Sequence, residues 1–337
     1  MKDLDLSNVP VIDISAWTHG DVASRLSLAK EVDQACKEWG FLLVGGHGID
    51  QALIDAMFET SYAFFDQDAE TKEQYASAGR KGGRGYFSVG MKALARTSGD
   101  VDAKGDQKET FLTGAEPVAG DPFYDLPGAD RLYAPNPWPD TPAAMVEVWD
   151  NYRAACKGVA DTLMSIFATA LGMPPDWFEA RSDKPVSTLV AHHYPAQTEP
   201  PEPGALRAGA HTDFGTLTLL MTENRPGGLQ VQGLDGEWYD VQPLPGAFIV
   251  NIGDLMQRWT NDVWRSTMHR VVNPPANAGS AARRMSVVYF CNPNFDTEVA
   301  CFSSLLDAGQ VPKYEATTVG EHYLKKIALN NSAGKSS

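Results

Sequence analysis

The sequence predicts a mainly β fold, a sandwich or a barrel, with helices packed around it. From about residue 186 onward, short runs rich in β-branched and aromatic residues are separated by glycine, proline or asparagine turns, a spacing typical of such folds. In the first half of the chain, apolar residues recur at helical spacing instead. The predicted strands are "VSTLVAHHY", "GTLTLLM", "GLQVQ", "EWYDVQ", "AFIVNIGD", "STMHRVV" and "RMSVVYF".

Two shorter strands and two helices are predicted ahead of this region. "VPVIDIS" and "FLLVGGHGI" are expected to be strands, and "QALIDAMFETSYAFF" has a helical period. Another helix is expected to begin at Asp21, a good N-cap residue, and to end at Gly40. Residues 78–107 are rich in glycine and charge, which predicts a long irregular segment of the kind that forms a lid or a substrate loop.

The clearest helix is predicted over residues 142–171. Thr141 is expected to cap it and Pro142 to occupy its first position, while Gly172 and Pro174 follow its end. Its apolar stripe runs the whole length, so we expect a scaffold helix that takes no part in chemistry.

The composition excludes some classes of partner. The 43 acidic residues exceed the 28 basic ones, which gives a net charge of −15, and such a surface repels nucleic acid. No run of 18 apolar residues and no secretory signal is visible, so we expect no membrane partner. The four cysteines lack a CxxC spacing, which fits a reduced protein in the cytoplasm.

The stretch "AGAHTDFGTLTLLM" begins an apolar run with two good metal ligands, His211 and Asp213. In a strand, residues two apart face the same side. His269 follows 58 residues later in another predicted strand. Two imidazoles and one carboxylate, with open positions opposite, suit non-haem Fe(II) oxygenases. The spacing alone does not separate iron from zinc.

An arginine on the last predicted strand indicates an anion site. Strand alternation in "RRMSVVYF" places Arg284, Ser286, Val288 and Phe290 on one face and Arg283 on the other. An inward arginine stays charged and needs an anion, and a carboxylate fits its fork, with the serine hydroxyl adding a hydrogen bond. No protein carboxylate is an obvious partner, so we expect the anion to be a ligand. Arg283 is the alternative.

Together these motifs resemble those of the Fe(II)/2-oxoglutarate-dependent dioxygenases, in the isopenicillin N synthase-like branch, which includes plant flavonoid oxygenases and many bacterial biosynthetic enzymes. The resemblance covers most of the chain and implies a double-stranded β-helix, or jelly roll, flanked by helices. The segments that carry it are "VPVIDIS", "GFLLVGGHGI", "GGRGYFSVG", "HYPAQ", "HTDFGTLTLL", "GGLQV", "GEWYDVQPLPGAFIVNIGDLMQRWTND" and "STMHRVV".

The resemblance also implies the cofactors and the residues that bind them. Fe(II) would be bound by His211, Asp213 and His269. The cosubstrate 2-oxoglutarate would chelate the iron, and O2 would take the remaining position. The far carboxylate of 2-oxoglutarate would be bound by Arg284, Ser286 and Tyr194. The implied reaction is oxidation of a small molecule by hydrogen abstraction, usually hydroxylation, with succinate and CO2 as co-products.

Two residues qualify the resemblance. His192 stands where many plant relatives carry asparagine, so the surroundings of the cosubstrate are expected to differ. Asp213 is present, whereas related halogenases lack it, and this favours hydroxylation. His47 falls in a structural "HG" turn of the branch and is given no chemistry.

Four segments of one compact unit are implied: an N-terminal dioxygenase-type α/β region (8–120), a connecting segment with the scaffold helix (121–184), the jelly-roll core (185–293) and a C-terminal extension (294–337). The last residues, "NNSAGKSS", are expected to fray. Two alternatives stay open, an oxidase of the same fold that uses no 2-oxoglutarate and a metal-free jelly-roll binding module. The oligomeric state is not predicted.

The substrate is indicated least. An aromatic-rich pocket favours a cyclic or apolar small molecule. Arg84 and Lys92, on the glycine-rich segment, are candidates for contact with an anionic substrate. The aromatic candidates for the pocket wall are Phe290, Phe214, Phe295, Tyr86 and Phe87.

Overall fold

Two β-sheets form the centre of the protein, in a computed structural model that describes residues 9–197, 201–225, 228–306 and 309–332. The strands are β1 Val11–Asp13, β2 Phe41–Gly45, β3 Gly85–Phe87, β4 Glu109–Gly114, β5 Thr188–Tyr194, β6 Ala208–His211, β7 Leu217–Thr222, β8 Leu229–Gln232, β9 Trp238–Asp240, β10 Phe248–Ile252, β11 His269–Val271, β12 Arg284–Cys291, β13 Glu298–Val299 and β14 Thr317–Thr318. Eight form one sheet in the order β1-β2-β10-β7-β12-β5-β4-β3, and four form a second in the order β6-β11-β8-β9.

Every pairing in the two sheets is antiparallel except that of β1 with β2. The N-terminal strands β1 to β4 extend both edges of the larger sheet, so they continue the sheet of the predicted core. The small third sheet pairs β13 with β14. This arrangement confirms the prediction of a mainly β fold with a jelly-roll core.

Alternation along β2 shows how the larger sheet is buried on both faces. Phe41 and Leu43 belong to an apolar cluster that includes Val231 of the smaller sheet. Leu42 and Val44 belong to the second cluster, which contains the buried faces of the surrounding helices. A strand covered on both sides reads as a continuous apolar run, which is why "FLLV" carries no polar residue.

Helices pack around the two sheets. They are α1 Ser15–His19, α2 Val22–Glu38, α3 Gln51–Phe65, α4 Ala69–Glu73, α5 Met145–Ala170, α6 Asp254–Trp259 and α7 Val319–Ser332. As predicted, Asp21 caps α2, and its side chain accepts a hydrogen bond from the Ser24 amide at 2.8 Å. Among the described helices, none combines the length and apolarity that a membrane crossing requires.

The scaffold helix α5 begins later than predicted. Its first residue is Met145, and Ala144 precedes it without a side-chain cap, so Thr141 does not cap the helix and Pro142 lies outside it. The fully buried Met145 and Trp149 anchor this end, which indicates that packing rather than capping sets the start.

Two further segments border the functional region. Residues 78–107 are mostly irregular, as predicted, apart from β3 and short 3-10 turns. The C-terminal extension contains α7, a helix with no counterpart among the predicted ones, which continues into the first residues of the predicted frayed tail. Residues 333–337 of that tail lie outside the described residues.

Candidate active site

A cavity of about 740 Å³ lies between the two sheets, and we call it the central cavity. Its walls include Val190, Leu220 and Ser286 on the larger sheet, and Leu229 and Val271 on the smaller one. Its size suits a small molecule together with a small cosubstrate.

Three side chains at this cavity form a potential metal site. The ligand atoms of His211, Asp213 and His269 all lie within 4.8 Å of one another, and all three residues are buried. Asp213 Oδ1 is 3.8 Å from His211 Nε2 and 3.7 Å from His269 Nε2. Within the part of the chain that the structure describes, this is the one group of at least three such residues that could bind a metal ion.

Strand pairing brings the two histidines together, as expected, but the aspartate does not lie on the same strand as His211. His211 ends β6 and is directly opposite His269 on β11. Asp213 lies beyond the strand, in the connection to β7, which belongs to the other sheet. The expected single strand from His211 through the apolar run is therefore wrong. The chain changes sheets there, and the Asp254 amide donates to the Asp213 carbonyl oxygen at 2.8 Å, which secures the connection.

Hydrogen bonds leave one ligand atom of each residue available. His211 Nδ1 donates to the Gly209 carbonyl at 2.7 Å, and His269 Nδ1 donates to the Thr267 carbonyl at 3.1 Å, so each Nε2 keeps its lone pair. The other carboxylate oxygen of the site, Asp213 Oδ2, accepts hydrogen bonds from two buried groups, each at 2.6 Å. These donors are Thr218 Oγ1 and Asn251 Nδ2.

The protonation states suit a metal. Burial, together with the nearby imidazole of His269, holds the pKa of His211 well below its ordinary value, so its imidazole is neutral. Burial opposes ionisation of Asp213, but the neighbouring imidazoles and its two hydrogen bonds outweigh that effect and lower its pKa. A neutral histidine and an ionised carboxylate are the forms that bind a divalent cation, and the donor set of two nitrogens and one oxygen suits iron.

The predicted anion site lies at the same cavity. Arg284 is 3% exposed, donates to Thr222 Oγ1 at 3.1 Å, and has its guanidinium carbon 4.7 Å from the centre of the Tyr194 ring. Tyr194 is opposite Arg284 in the pairing of β5 with β12. Ser286 Oγ is buried and has no hydrogen-bond partner among the described residues. A buried hydroxyl without a partner, beside a buried guanidinium, fits an anionic ligand.

Arg283, the alternative, serves a different network. It donates to His193 Nε2 at 2.8 Å and pairs with Asp66 at 2.5 Å, and it does not line the central cavity. His193 in turn donates from Nδ1 to Glu109 at 2.7 Å. Glu109 also accepts a hydrogen bond from the Tyr86 hydroxyl at 2.6 Å.

Three of the five aromatic candidates line the central cavity, namely Phe87, Phe214 and Phe290. Against the prediction, the other two do not line it. Tyr86 faces the opposite side of β3 from Phe87 and packs in the core, where its ring centre is 6.0 Å from that of Phe64. Phe295 packs against Gly320, where any Cβ would come within 2.4 Å of its ring. Both are held by core packing and lie off the cavity wall.

Of the other residues discussed from the sequence, three line the central cavity and one lies elsewhere. Arg84 and Lys92 both line the central cavity. His192 also lines it and contacts Thr110 Oγ1 through Nδ1 at 2.9 Å, and burial keeps its pKa well below the usual value. His47 bonds through Nε2 to the Gly246 carbonyl at 2.9 Å, which is a structural contact.

Several residues of the site were not predicted. Asn251 and Thr218 donate hydrogen bonds to Asp213, and each is a polar residue inside an apolar strand, a pattern that could have revealed them. Tyr323 of α7 reaches the central cavity, with its ring 6.1 Å from that of Phe214. Lys108 lies on the wall as well. No local pattern distinguishes these last two, because distant segments bring them there.

Two protein-family models match separate parts of the chain. Residues 9–141 match the family model described as "non-haem dioxygenase in morphine synthesis N-terminal". Residues 185–293 match the "2OG-Fe(II) oxygenase superfamily". The chain belongs to the Fe(II)- and 2-oxoglutarate-dependent dioxygenases, in the isopenicillin N synthase-like branch.

Individual dioxygenases resemble the chain along nearly its whole length. It is 32% identical to Homoarginine-6-hydroxylase 2-ODD-233 of Oryza sativa subsp. japonica, over 97% of this chain and 98% of the relative. It is 33% identical to the Validamycin A dioxygenase of Streptomyces hygroscopicus subsp. limoneus, over 95% and 86% of the two chains. The crystal structure of a full-length Neurospora crassa protein in complex with alpha-KG and thymine superposes with a TM-score of 0.82 at 30% identity, over 95% of this chain and 96% of that one.

These findings confirm the predicted family and its chemistry. The protein is an oxidoreductase whose cofactors are Fe(II), 2-oxoglutarate and O2. The metal-free binding module is therefore excluded, and an oxidase that uses no 2-oxoglutarate is disfavoured.

Proposed function

We propose that this dioxygenase hydroxylates a small-molecule metabolite in the central cavity and releases succinate and CO2. The metal ligands would be His211, Asp213 and His269, and the far carboxylate of 2-oxoglutarate would bind Arg284, Ser286 and Tyr194. The observation that carries the proposal is that both groups line one cavity between the two sheets.

The metal ligands are prepared in advance of binding. The carbonyls of Gly209 and Thr267 orient both imidazoles, and the two donors to Asp213 Oδ2 leave Oδ1 for the ion. Outer hydrogen bonds of this kind raise the basicity of the ligands and reduce the cost of assembling the site. When bound, Fe(II) with 2-oxoglutarate and O2 supplies oxidative decarboxylation and the abstraction of hydrogen from the substrate.

The role of Arg284 is to bind and orient the cosubstrate. Its guanidinium stays charged even when buried, and a carboxylate is the partner that matches its planar fork. The hydroxyl of Ser286, which lies two residues along the same strand and has no partner among the described residues, can donate to the same carboxylate. Water is kept from the reacting atoms by apolar walls, which include Val288 and Phe290.

The substrate is proposed to be a small cyclic or partly apolar molecule that occupies the space bordered by Phe87, Phe214 and Phe290. The cavity volume and the aromatic walls support this class, as do the names of the relatives, which refer to small molecules. Hydroxylation is favoured over halogenation because the metal carboxylate of Asp213 is present. A location in the cytoplasm is proposed on the four free cysteines.

The test is substrate-stimulated succinate release, measured for a panel of small metabolites with Fe(II), 2-oxoglutarate and O2. We expect one class of compound to raise succinate formation and to gain one oxygen atom, as seen by mass spectrometry. Substrate conversion without succinate would instead assign the protein to the 2-oxoglutarate-independent oxidases. A product that has lost two hydrogens would replace hydroxylation with desaturation or ring formation.

A further inference from the structure

The charge of the central cavity is opposite to that of the protein. The chain has a net charge of −15. Among the described residues, the cavity is nevertheless lined by seven lysine and arginine residues and two aspartates. One of the aspartates is the metal ligand Asp213, and the other, Asp130, forms an exposed ion pair with Lys81 at 3.1 Å. A concave positive site in an acidic protein attracts anions.

Most of the other basic residues are accounted for. Arg80 donates to the carbonyls of Ala76 and Gln74 at 2.9 and 2.8 Å, and Arg84 donates to the Leu132 carbonyl. Arg284 is assigned to the cosubstrate. Lys92 and Lys108 are left, together with Arg131, which is exposed at the edge of the cavity.

One carboxylate, Asp106, interacts electrostatically with both lysines, and neither ammonium has a hydrogen-bond partner among the described residues. The side chain of Lys108 is 3% exposed, and its Nζ lies 3.7 Å from Asp106 Oδ2, beyond hydrogen-bond distance. The Nζ of Lys92 lies 3.7 Å from the centre of the Phe87 ring. Within the described residues, neither ammonium donates a hydrogen bond to a protein group. Burial and the charge of Lys108 lower the pKa of Lys92 to about 7, so the two cations destabilise each other.

This pair is connected to the metal site. Asp106 Oδ1 accepts a hydrogen bond from the Gly209 amide at 3.0 Å, and the Gly209 carbonyl accepts from His211 Nδ1 at 2.7 Å. The Asp106 amide donates to the Lys92 carbonyl at 2.6 Å, so the same residue also secures the segment that carries Lys92. The lysines are thus held against the strand that ends at a metal ligand.

We propose that Lys92 and Lys108 form an anion subsite that binds a carboxylate of the primary substrate and aims the rest of that molecule at the metal site. The inference rests on the proposed function, which already assigns both carboxylates of 2-oxoglutarate, one to the metal and one to Arg284. A bound anion favours the protonated form of Lys92, and two ammonium groups with one aspartate then leave about one positive charge, which matches a singly charged carboxylate. The aromatic ring of Phe87, under the Lys92 ammonium, supplies an apolar surface for the adjoining part of the substrate.

The experiment uses the full chain loaded with Mn(II), which does not support turnover, and saturating 2-oxoglutarate. Calorimetry measures the binding of phenyl and cyclohexyl carboxylic acids with side chains of graded length, each paired with its neutral amide. We expect at least one acid to bind about tenfold or more tightly than its amide, because a charged hydrogen bond is lost in the amide. Equal binding of acids and amides, or no binding of any acid, would overturn the proposal.

Two variants with opposite expected effects separate recognition of charge from general damage. Binding is measured at a pH low enough to keep both lysines protonated, because Asp106 is a group that raises the pKa of Lys92. There Lys92→Met removes a cation and should weaken binding of the acid about tenfold, whereas Asp106→Asn removes the competing anion and should strengthen it. Asparagine can still accept from the Gly209 amide, so the fold is retained. If both variants weaken binding, the role of the cluster is structural and the inference is wrong. The control is Lys104→Met, because Lys104 is 55% exposed and pairs with Glu202 away from the cavity.

Titration of 2-oxoglutarate into the Mn(II) protein separates this inference from the function it rests on. Failure of the wild type to bind 2-oxoglutarate contradicts the proposed function. Tight binding of 2-oxoglutarate with no preference for acids contradicts only the anion subsite. If Lys92→Met weakens the binding of 2-oxoglutarate as much as the binding of the acid, the lysines bind the cosubstrate, and the subsite does not serve the primary substrate.

Discussion

His211 and His269 face each other across the antiparallel pair β6 and β11, with their ring centres 4.3 Å apart. Each donates its Nδ1 hydrogen to the carbonyl of the residue two positions earlier, Gly209 and Thr267 respectively. The local geometry is therefore repeated on the two strands, and both Nε2 atoms face the carboxylate of Asp213. The backbone of the smaller sheet sets the orientation of two of the three proposed metal ligands.

Removing the proposed carboxylate ligand should eliminate catalysis. We expect Asp213→Ala to lower Fe(II)-dependent succinate formation by about 100-fold or more, because two imidazoles alone bind Fe(II) weakly and leave the site with excess positive charge. Bound metal, measured by elemental analysis after dialysis, should fall in parallel. Asp130→Ala, an exposed aspartate at the edge of the same cavity, is the matched control. Succinate at the wild-type level from Asp213→Ala would disprove the assignment.

The hydroxyl that supports Asp213 can be removed with little change in shape. Thr218→Val deletes the donor 2.6 Å from Asp213 Oδ2 and should lower metal affinity about tenfold, as is usual for loss of an outer hydrogen bond. Thr216→Val is the control, since Thr216 is equally buried and its hydroxyl has no partner among the described residues. Equal metal affinities of the two variants, measured by competition with a chelator, would contradict a supporting role for Thr218.

Substitution of the two adjacent arginines should have very different effects on the KM for 2-oxoglutarate. Arg284→Met leaves a cosubstrate carboxylate buried without its partner, at a cost of about 2 kcal/mol or more, and the KM for 2-oxoglutarate should rise about 30-fold. Arg283→Met breaks contacts with Asp66 and His193 outside the cavity and should leave that KM unchanged. Steady-state kinetics at varied 2-oxoglutarate concentrations measures both. The opposite ranking would transfer the anion site to Arg283.

A buried carboxylate outside the cavity should make stability depend on pH. Glu109 is 6% exposed and accepts hydrogen bonds from Lys72, His193 and Tyr86 at 2.6–2.8 Å. Burial favours its neutral form, but these donors outweigh burial and lower its pKa below the ordinary value of 4.5. Its stabilising contribution is therefore complete above that value and is lost as the pH falls through the lowered pKa.

Glu109→Gln should accordingly lower the free energy of unfolding at neutral pH by about 3 kcal/mol. The difference from the wild type should shrink as the pH falls below 4.5, the ordinary pKa of a glutamate. Urea unfolding over a pH series measures this difference. Glu59→Gln, an exposed position on α3, provides the control. A difference that grew on acidification would show that the folded state favours the protonated form of Glu109.

The sequence alone was sufficient for the family, the jelly roll and the proposed metal and anion residues. Those residues lie in short motifs, and strand alternation correctly placed Arg284, Ser286 and Phe290 on the cavity side of β12. Strand alternation does not explain the position of Asp213, because the strand ends at His211 and the chain then crosses to the other sheet.

The part of the cavity wall that lies away from the proposed metal site depends on tertiary packing. Tyr86 and Phe295 are separated from Phe87 by core packing, and Lys108 and Lys92 line the same cavity. Periodicity and motifs report which face of its own strand or helix a residue occupies. Which distant segment packs against that face depends on the burial of the whole chain, and neither Lys108 nor Tyr323 has a local pattern that reveals its neighbours.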